Sequence, residues 1–520
     1  MAACMLGITL NLSACSKEAP TRPAASEYPR TETKAEPQDH STALGRAIAD
    51  DTKKNAGMSG FRFLSTGTES LQYRIALIRA AEKSIDLQYY TIHDDVSANL
   101  LLEALILAAQ RGVRVRFLID NISMSEVDRT LTILDGVKNI EIRVFNPIVT
   151  RHQSYLSRIT GFISDFGKAF KRMHNKALIA DNQLAIIGGR NLGDEYFEAH
   201  SDNNYKDADM LTAGPITARI SQSFDRYWNG DDTFPITLLR KPVHAQQEID
   251  GLRQELKAHW EKEAKTEGGK KTLLSNLSER LKRGEVGLIW AKAELRADEP
   301  EKINEHPDDA ISKPKDSLQK LTENAKEEFV IISPYFVPRE EGVAWLTGLA
   351  ARDIKVRILT NSLSSTDVIA VHTGYRRYRE TLIKGGVELY EFKAIDDKHP
   401  KQRLFGGTAP ANASLHAKMY IVDRKDLLIG SFNLDPRSES LNTEIALLVH
   451  SAEIAAPALK MFNDAVSSGA SYRLQLDKSG NLIWQDNEKG KEQVYHYEPE
   501  AGLRRIQSWL MGLLPVEDQL

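Results

Sequence analysis

The chain has 520 residues, 41% hydrophobic and 27% charged, with 68 Lys plus Arg against 72 Asp plus Glu, a net charge of −4 and a pI near 6.4. That length exceeds one ordinary core and implies two or three domains, and the near-neutral balance argues against a dedicated nucleic-acid binder, which is usually basic. The two cysteines, Cys4 and Cys15, stand at the N-terminal end, which excludes a disulfide framework or a thiolate metal site in the body, and no internal run is long and apolar enough to cross a membrane.

The chain opens on an apolar segment, MLGITLNLSAC. Its end, Leu12-Ser13-Ala14-Cys15, resembles a bacterial lipobox, in which the cysteine becomes the lipidated first residue, although no Lys or Arg precedes Lys17 where a basic region would stand. Residues 1–15 therefore read as a lipoprotein signal segment, anchoring the body at Cys15 to a cell-envelope membrane and facing the periplasm; a peripheral inner-membrane protein is the alternative. Residues 16–44 are rich in Pro, Ser, Thr and charge and predict a disordered tether. The body, from residue 45, then carries the same order twice. In its first part, to residue 242, helical spacing over 71–84 precedes a strand over 85–90, then a helix over 97–112 and a strand over 113–120. Residues 151–172 interleave Leu156, Ile159, Ile163, Phe166 and Phe170 with five basic residues, the pattern of an interfacial helix meeting anionic lipid or of a surface helix packed on the core. Residues 243–285 predict a charged helical connector, broken at AHWEKEAKTEGGKK. The second part, 286–480, predicts a helix over 317–328, a strand over 329–338, a helix over 341–353 and a strand over 354–360. Residues 481–520 form a C-terminal segment in which LRRIQSWLMGLLP either lies on a membrane or closes the core. Alternating elements in a duplicated order predict an α/β fold with two related lobes, each a sheet flanked by helices.

Each part also carries the same spaced triplet. MHNKALIAD (173–181) and LHAKMYIVD (415–423) both spell His-x-Lys-x-x-x-x-Asp, offset by 416 − 174 = 242 residues. The apolar runs predict buried strands over 176–181 and 418–423. On extended backbone His174 and Lys176, like His416 and Lys418, share a face, and Asp181 and Asp423 fall at the strand end. The flanks repeat as well: GGRN places Gly188 and Asn191 where GSFN places Gly430 and Asn433, with Gly189 standing where the second copy has Ser431. Further on, Asp207 and Glu444 each put a carboxylate in an apolar context. One such triplet arises by chance in roughly one chain in twenty at average composition, two with matching flanks in about one in ten thousand or fewer. Chemistry, rather than duplicated strand ends, is the reading that survives.

These motifs resemble the signature of the phospholipase D superfamily, over about residues 58–470. KRMHNKALIADNQLAIIGGRNLGDEYF, SPYFVP, NSLSSTDVIAVHTGYRRYRETLIKGGVELYEF and LLPVEDQL are similar to the bacterial cardiolipin synthase branch, C type. The resemblance implies two pseudo-symmetric lobes sharing one active site, with one histidine attacking phosphorus and the other serving as acid and base. Chain order in the family gives His174 the nucleophile's role and His416 the acid's; the residues alone do not distinguish them. Lys176, Lys418, Asn191 and Asn433 would hold the phosphate oxygens, Ser431 would add a hydroxyl on one side, and Asp207 and Glu444 would orient the histidines. Asp181 and Asp423, the last members of the signature, read as structural. No metal or cofactor is implied. The implied reaction is phosphatidyl transfer making cardiolipin from phosphatidylglycerol and a second phospholipid, possible donors including phosphatidylethanolamine; hydrolysis to phosphatidic acid is the alternative, and a nuclease or a non-catalytic membrane scaffold are lesser ones. His93 and Tyr335 stand where the pocket is expected, or at plain strand ends. Asp50-Asp51 and Asp94-Asp95 read as solvated or turn carboxylates, and Arg376, Arg377 and Arg379, near His372, as a basic face.

Overall fold

The computed structural model describes residues 31–120, 124–147, 170–200, 203–239, 246–266, 269–270, 275–394, 412–467, 469–488 and 491–512. The lipobox with Cys15, most of the predicted interfacial helix 151–172 and the closing LLPVEDQL lie outside these residues.

Strands of the first lobe are β1 (Ser59–Leu64), β2 (Ser84–Tyr89), β3 (Arg114–Asp120), β4 (Ile140–Phe145), β5 (Ala177–Ala180), β6 (Leu184–Gly188), β7 (Asn203–Lys206), β8 (Asp209–Ala213) and β9 (Thr233–Pro235). Those of the second are β10 (Ile289–Ala297), β11 (Glu328–Ile332), β12 (Lys355–Asn361), β13 (Glu388–Phe392), β14 (Asn412–Leu415), β15 (Met419–Val422), β16 (Asp426–Gly430), β17 (Ile445–His450) and β18 (Ser471–Leu476), extended by β19 (Leu482–Glu488) and β20 (Lys491–Tyr495). Pairings run β9-β4-β3-β2-β5-β6-β8-β1 through the first lobe and β10-β17-β16-β15-β11-β12-β13-β18 through the second. The two orders are the same. Their equivalent first strands, β1 and β10, pair antiparallel with Gly60 opposite Trp290, the relation that a twofold axis through the sheet imposes.

Both faces of this continuous sheet are covered, which is why its strands read as unbroken apolar runs. Helices Gly67–Ala80, Val96–Gln110 and Gln246–Glu263 cover one face of the first lobe. A core shared by both lobes fills the other side, joining Ile179, Ile187, Phe224 and Trp228 to Ile332, Ile421, Ile429 and Phe462. The helices and strands of the duplicated order stand within a few residues of the predicted positions. The connector helix, Gln246–Glu263, ends inside the stretch AHWEKEAKTEGGKK, and its Ile249, Leu252 and Leu256 bury a stripe on the first lobe. One stretch differs. Residues 31–38 are held along the first lobe rather than disordered: Arg116 and Arg143, both buried, donate to the carbonyls of Thr33 and Thr31 at 2.8 Å each. Buried guanidiniums need all their donors met, and this extended backbone meets them. Among the described residues no helix is long and apolar enough to cross a membrane.

Candidate active site

Each motif leads into a hairpin, and its aspartate makes the turn. Asp181 and Asn182, at φ 52° and 52°, and Asp423 and Arg424, at 48° and 58°, are the paired left-handed residues of a tight hairpin turn. Asp181 accepts the backbone N–H groups of Glu82, Lys83 and Ser84 at 2.8–3.1 Å; Asp423 accepts those of Lys326, Glu327 and Glu328 at 2.8–3.2 Å. Both carboxylates thus clamp the start of the neighbouring antiparallel strand, away from the histidines.

The histidines and lysines do not sit on those strands, which begin only at Ala177 and Met419. The expected alternation over 176–181 and 418–423 therefore does not place them. Instead, the backbone before each motif pairs with the other lobe. His174 N–H donates to Thr443 O at 2.9 Å, with Met173 bridged to Thr443. In the equivalent crossing β14 lies parallel to β7, and His416 N–H donates to Lys206 O at 2.8 Å. Thr443 and Lys206 each immediately precede a buried carboxylate, so the crossing delivers each lobe's acid to the other lobe's histidine. His174 Nδ1 lies 3.0 Å from Glu444 Oε2, and His416 Nδ1 lies 2.6 Å from Asp207 Oδ2. With Nδ1 engaged on a carboxylate, Nε2 is the nitrogen left for chemistry. Lys176 and Lys418 fold back on the carbonyls of their own histidines, at 2.6 and 2.5 Å.

All of these groups are buried, and their electrostatics follow from that. Burial, then Lys176, Lys418 and His416, drives His174 well below the ordinary histidine range. Burial and the Lys418 ammonium lower His416, and the Asp207 carboxylate recovers only part of that loss. Lys176 is pushed well down by burial, and Lys418 down to about 8. The acids part company. Burial raises Glu444 to about 7, whereas at Asp207 burial is outweighed by His416, Lys418 and Arg190, which hold it at about 2.

Ser431 donates to Glu444 Oε2, and Ser438 to Oε1 at 2.9 Å. On the other side no hydroxyl fits: a Cβ at Gly189 would fall 2.6 Å from Asp207 Oδ2. Asn191 donates to the Tyr196 hydroxyl at 3.0 Å, and the side-chain oxygens of Asn191 and Asn433 are both buried without a protein partner. Tyr335 lies at the site, its ring 6.0 Å from Lys418 Nζ and its hydroxyl donating to Asp367 at 2.7 Å. His93 is set apart, its Nδ1 3.0 Å from Glu195 Oε1, on the rim of a cavity of about 600 Å³ that also reaches Tyr205. His93, Asp95 and Glu195 are the described residues whose donor atoms cluster as a metal would require, all within 4.8 Å of one another. Asp95 already caps helix Val96–Gln110 through Ala98 N–H and accepts Asp194 N–H at 2.7 Å, a cap rather than a solvated carboxylate.

Several residues at the site carried no signal of their own in the sequence. Tyr90 packs edge-on to His174 at 5.1 Å; Tyr196 and Tyr205 pack on His416 at 5.2 and 4.9 Å. Tyr205 stands two residues before Asp207, so strand alternation next to a buried acid was the available clue. The basic run near His372 divides: Arg377 is exposed and Arg376 half-buried, but Arg379 is not part of a solvated face. Arg379 is buried between Glu391 and Glu498, at 3.0 and 2.7 Å, where it ties a helix to the sheet. Arg172, at the end of the predicted interfacial helix, is also internal, 3.6 Å from Asp120.

Comparison with known proteins agrees with this geometry. The family described as "Cardiolipin synthase, PLD-like domain" matches residues 75–228 and 318–466, one match in each lobe. Cardiolipin synthase C of Escherichia coli (strain K12) is 36% identical over 476 residues, covering 91% of this chain and 99% of that protein. Cardiolipin synthase B of Salmonella typhi is 25% identical over 389 residues, 75% of this chain and 76% of that one. Among solved structures, phosphatidylserine synthase of Haemophilus influenzae Rd KW20 shares the fold, with a TM-score of 0.54 at 15% identity over 92% of this chain and all of that one. Two lobes in the same strand order, a duplicated His-Lys-Asp motif whose histidines meet across them, and these matches lead to one statement: the chain belongs to the phospholipase D-like cardiolipin synthase family.

Proposed function

We propose that the protein is a phosphatidyltransferase that makes cardiolipin, moving a phosphatidyl group from one phospholipid to the glycerol headgroup of phosphatidylglycerol. The observation that carries this reading is the pair of buried imidazoles, each held through Nδ1 by a carboxylate of the opposite lobe, beside two buried ammonium groups.

In the first step His174 Nε2 attacks the donor phosphorus. The bond to the leaving headgroup oxygen breaks, and His416 gives that oxygen its proton. In the second step His416 takes a proton from the acceptor hydroxyl, whose oxygen attacks phosphorus and releases His174. The assignment rests on the unequal acids. A nucleophile must be neutral, which burial and nearby cations favour at His174. An acid must carry a proton, and the ionised Asp207 supports an imidazolium at His416 better than Glu444 would, since Glu444 at about 7 is only partly ionised near neutral pH. Lys176 and Lys418 supply ammonium donors for the charge that builds on the phosphoryl oxygens, and Asn191 and Asn433 are assigned to the same oxygens through their amide N–H groups. Localisation follows the substrate: the protein works at a membrane, and anchoring through Cys15 is the route we propose.

The test is a product assay in mixed micelles with labelled phosphatidylglycerol, alone and with phosphatidylethanolamine. Cardiolipin that disappears in His174→Ala is expected, and the lipid required names the donor. Phosphatidic acid without cardiolipin would make water the acceptor and overturn the synthase reading.

A further inference from the structure

Helix Arg504–Met511 is amphipathic, but it faces the wrong way for a helix that closes a core. The residue it buries is a serine: Ser508 is fully buried, its hydroxyl 2.9 Å from Thr373 on helix Ile369–Tyr375. Its apolar residues point outward, with Leu503 77%, Ile506 58%, Trp509 58% and Leu510 52% exposed. Such a contiguous face on a folded protein marks a contact surface. The charges within the helix and on the side chains that hydrogen-bond to it are positive, with the exposed Glu500 before it and Asp367 on the adjoining rim. Arg504 and Arg505 lie in the helix, which has no acidic residue, and Arg376 and Arg377 lie next to it, Arg376 reaching Ser508 at 3.3 Å and Arg377 reaching Gly512 O at 3.3 Å. A tryptophan among aliphatic side chains, flanked by arginines, is the composition of a helix lying in a headgroup layer. A second copy meeting this face would bring like charges together.

The helix is also tied to the site. Arg504 donates to the carbonyls of Leu363 at 3.0 Å and Thr366 at 2.6 Å. The next residue, Asp367, accepts the hydroxyls of Tyr335 at 2.7 Å and Tyr205 at 3.3 Å, and Tyr205 packs on His416. Val368, 37% exposed, follows Asp367 in the chain and adds an exposed apolar side chain there.

We propose that helix Arg504–Met511 docks the protein on the surface of an anionic phospholipid bilayer, setting the rim at Asp367, and with it the His416 side of the site, against the lipid. This rests on the reading that the substrate is a phospholipid. It is tested with the full chain carrying Cys15→Ala, so that no acyl anchor masks the effect, sedimented with phosphatidylcholine vesicles with and without phosphatidylglycerol. The variant Ile506→Ser/Trp509→Ser/Leu510→Ser is expected to lose about tenfold or more in vesicle partitioning, with unchanged circular dichroism and unchanged turnover of a water-soluble short-chain phosphatidylglycerol. Trp509→Phe is expected to lose part of the fluorescence quenching that brominated lipids cause. Unchanged partitioning and quenching would overturn the proposal. So would a triple variant that turns a dimer into a monomer while still binding vesicles, since the face would then be occupied by a second copy. Docking without cardiolipin formation would leave this inference standing and sink the synthase reading; cardiolipin formation with docking unaffected by the variants would do the reverse.

Discussion

The two halves of the active site began as copies and now differ in the one group that sets each histidine's proton. On the His174 side the acid is a glutamate, long enough to cross from the other lobe and still accept the hydroxyls of Ser431 and Ser438. On the His416 side it is an aspartate, one methylene shorter, packed against Gly189, with the Ala208 N–H at 2.7 Å and no serine. The aromatic surroundings differ too: among the described residues Tyr90 stands beside His174, against Tyr196 and Tyr205 beside His416. Burial alone would raise both acids. Glu444 yields to it at about 7, while Asp207, pulled down by His416, Lys418 and Arg190, is held at about 2. A symmetric site would offer two equivalent nucleophiles; this one offers a neutral imidazole and a better-supported imidazolium, which is what a two-step transfer uses.

The sharpest way to break that comparison is to remove each histidine in turn. Both His174→Ala and His416→Ala should lower turnover by at least about 10³-fold, so rate alone cannot tell the halves apart. Covalent trapping can. With a labelled phosphatidyl donor whose leaving group needs no acid, such as a nitrophenyl ester, and rapid acid-free quenching, His416→Ala should accumulate lipid-linked protein through His174, and His174→Ala should accumulate none. Label trapped on His416 instead would reverse the roles.

A second comparison acts on the acids. Asp207→Asn should cost on the order of 10³-fold in kcat, since an amide cannot stabilise the imidazolium of His416; Glu444→Gln should cost only about tenfold. Their stability effects should run with pH in different ways. Glu444 is raised from 4.5 to about 7, so the folded protein keeps a proton the unfolded chain has released. Its contribution is present below the unfolded value and is lost as pH rises through about 7. Asp207, lowered from 3.8 to about 2, contributes above its unfolded value and loses that only as pH falls through about 2. Between about pH 5 and pH 8, Glu444→Gln should therefore gain on the wild type by roughly 1–3 kcal/mol, while the gap for Asp207→Asn stays flat. Denaturant titrations across that range check both signs, and a flat Glu444→Gln difference would mean that Glu444 is ionised throughout.

How much of this asymmetry was legible in the sequence depends on how local each signal is. The duplicated order, the two motifs and the Gly189/Ser431 difference could be read because each is written within a short stretch with a matching copy 242 residues away. Asp207 and Glu444 stand out as carboxylates in apolar contexts, but their role comes only from family resemblance, since nothing local marks a carboxylate as bound for the other lobe. The crossing that takes them there, β7 on β14 and Met173 on Thr443, pairs segments more than 200 residues apart. For the same reason His174 and Lys176 looked like strand residues: the apolar run after them is a strand, but their own backbone is claimed by the other lobe. The tail helix shows the converse. Its hydrophobic pattern was plain, and only its packing through Ser508 told which face is out.

The smallest expected effect asks why the flanking residues stopped being copies. Gly189→Ser would make the first half read like the second, and Ser431→Gly the second like the first. At Gly189 the new Cβ would stand 2.6 Å from Asp207 Oδ2, against a carboxylate fixed at once by His416 and by the Ala208 N–H, with no room to withdraw. Overpacking of this kind costs about 1–3 kcal/mol, and whatever shift relieves it moves Asp207 away from His416, so kcat should fall with stability. At Ser431 the loss is of a donor to Glu444 and of an acceptor for Ile445 N–H at 3.0 Å. Ser438 still serves the same carboxylate, so the cost should stay near 1 kcal/mol, with little change in kcat. If Gly189→Ser were instead as mild as Ser431→Gly in both thermal stability and turnover, the Asp207 side would not be the tightly fitted half, and the difference between the two acids would have to come from length alone.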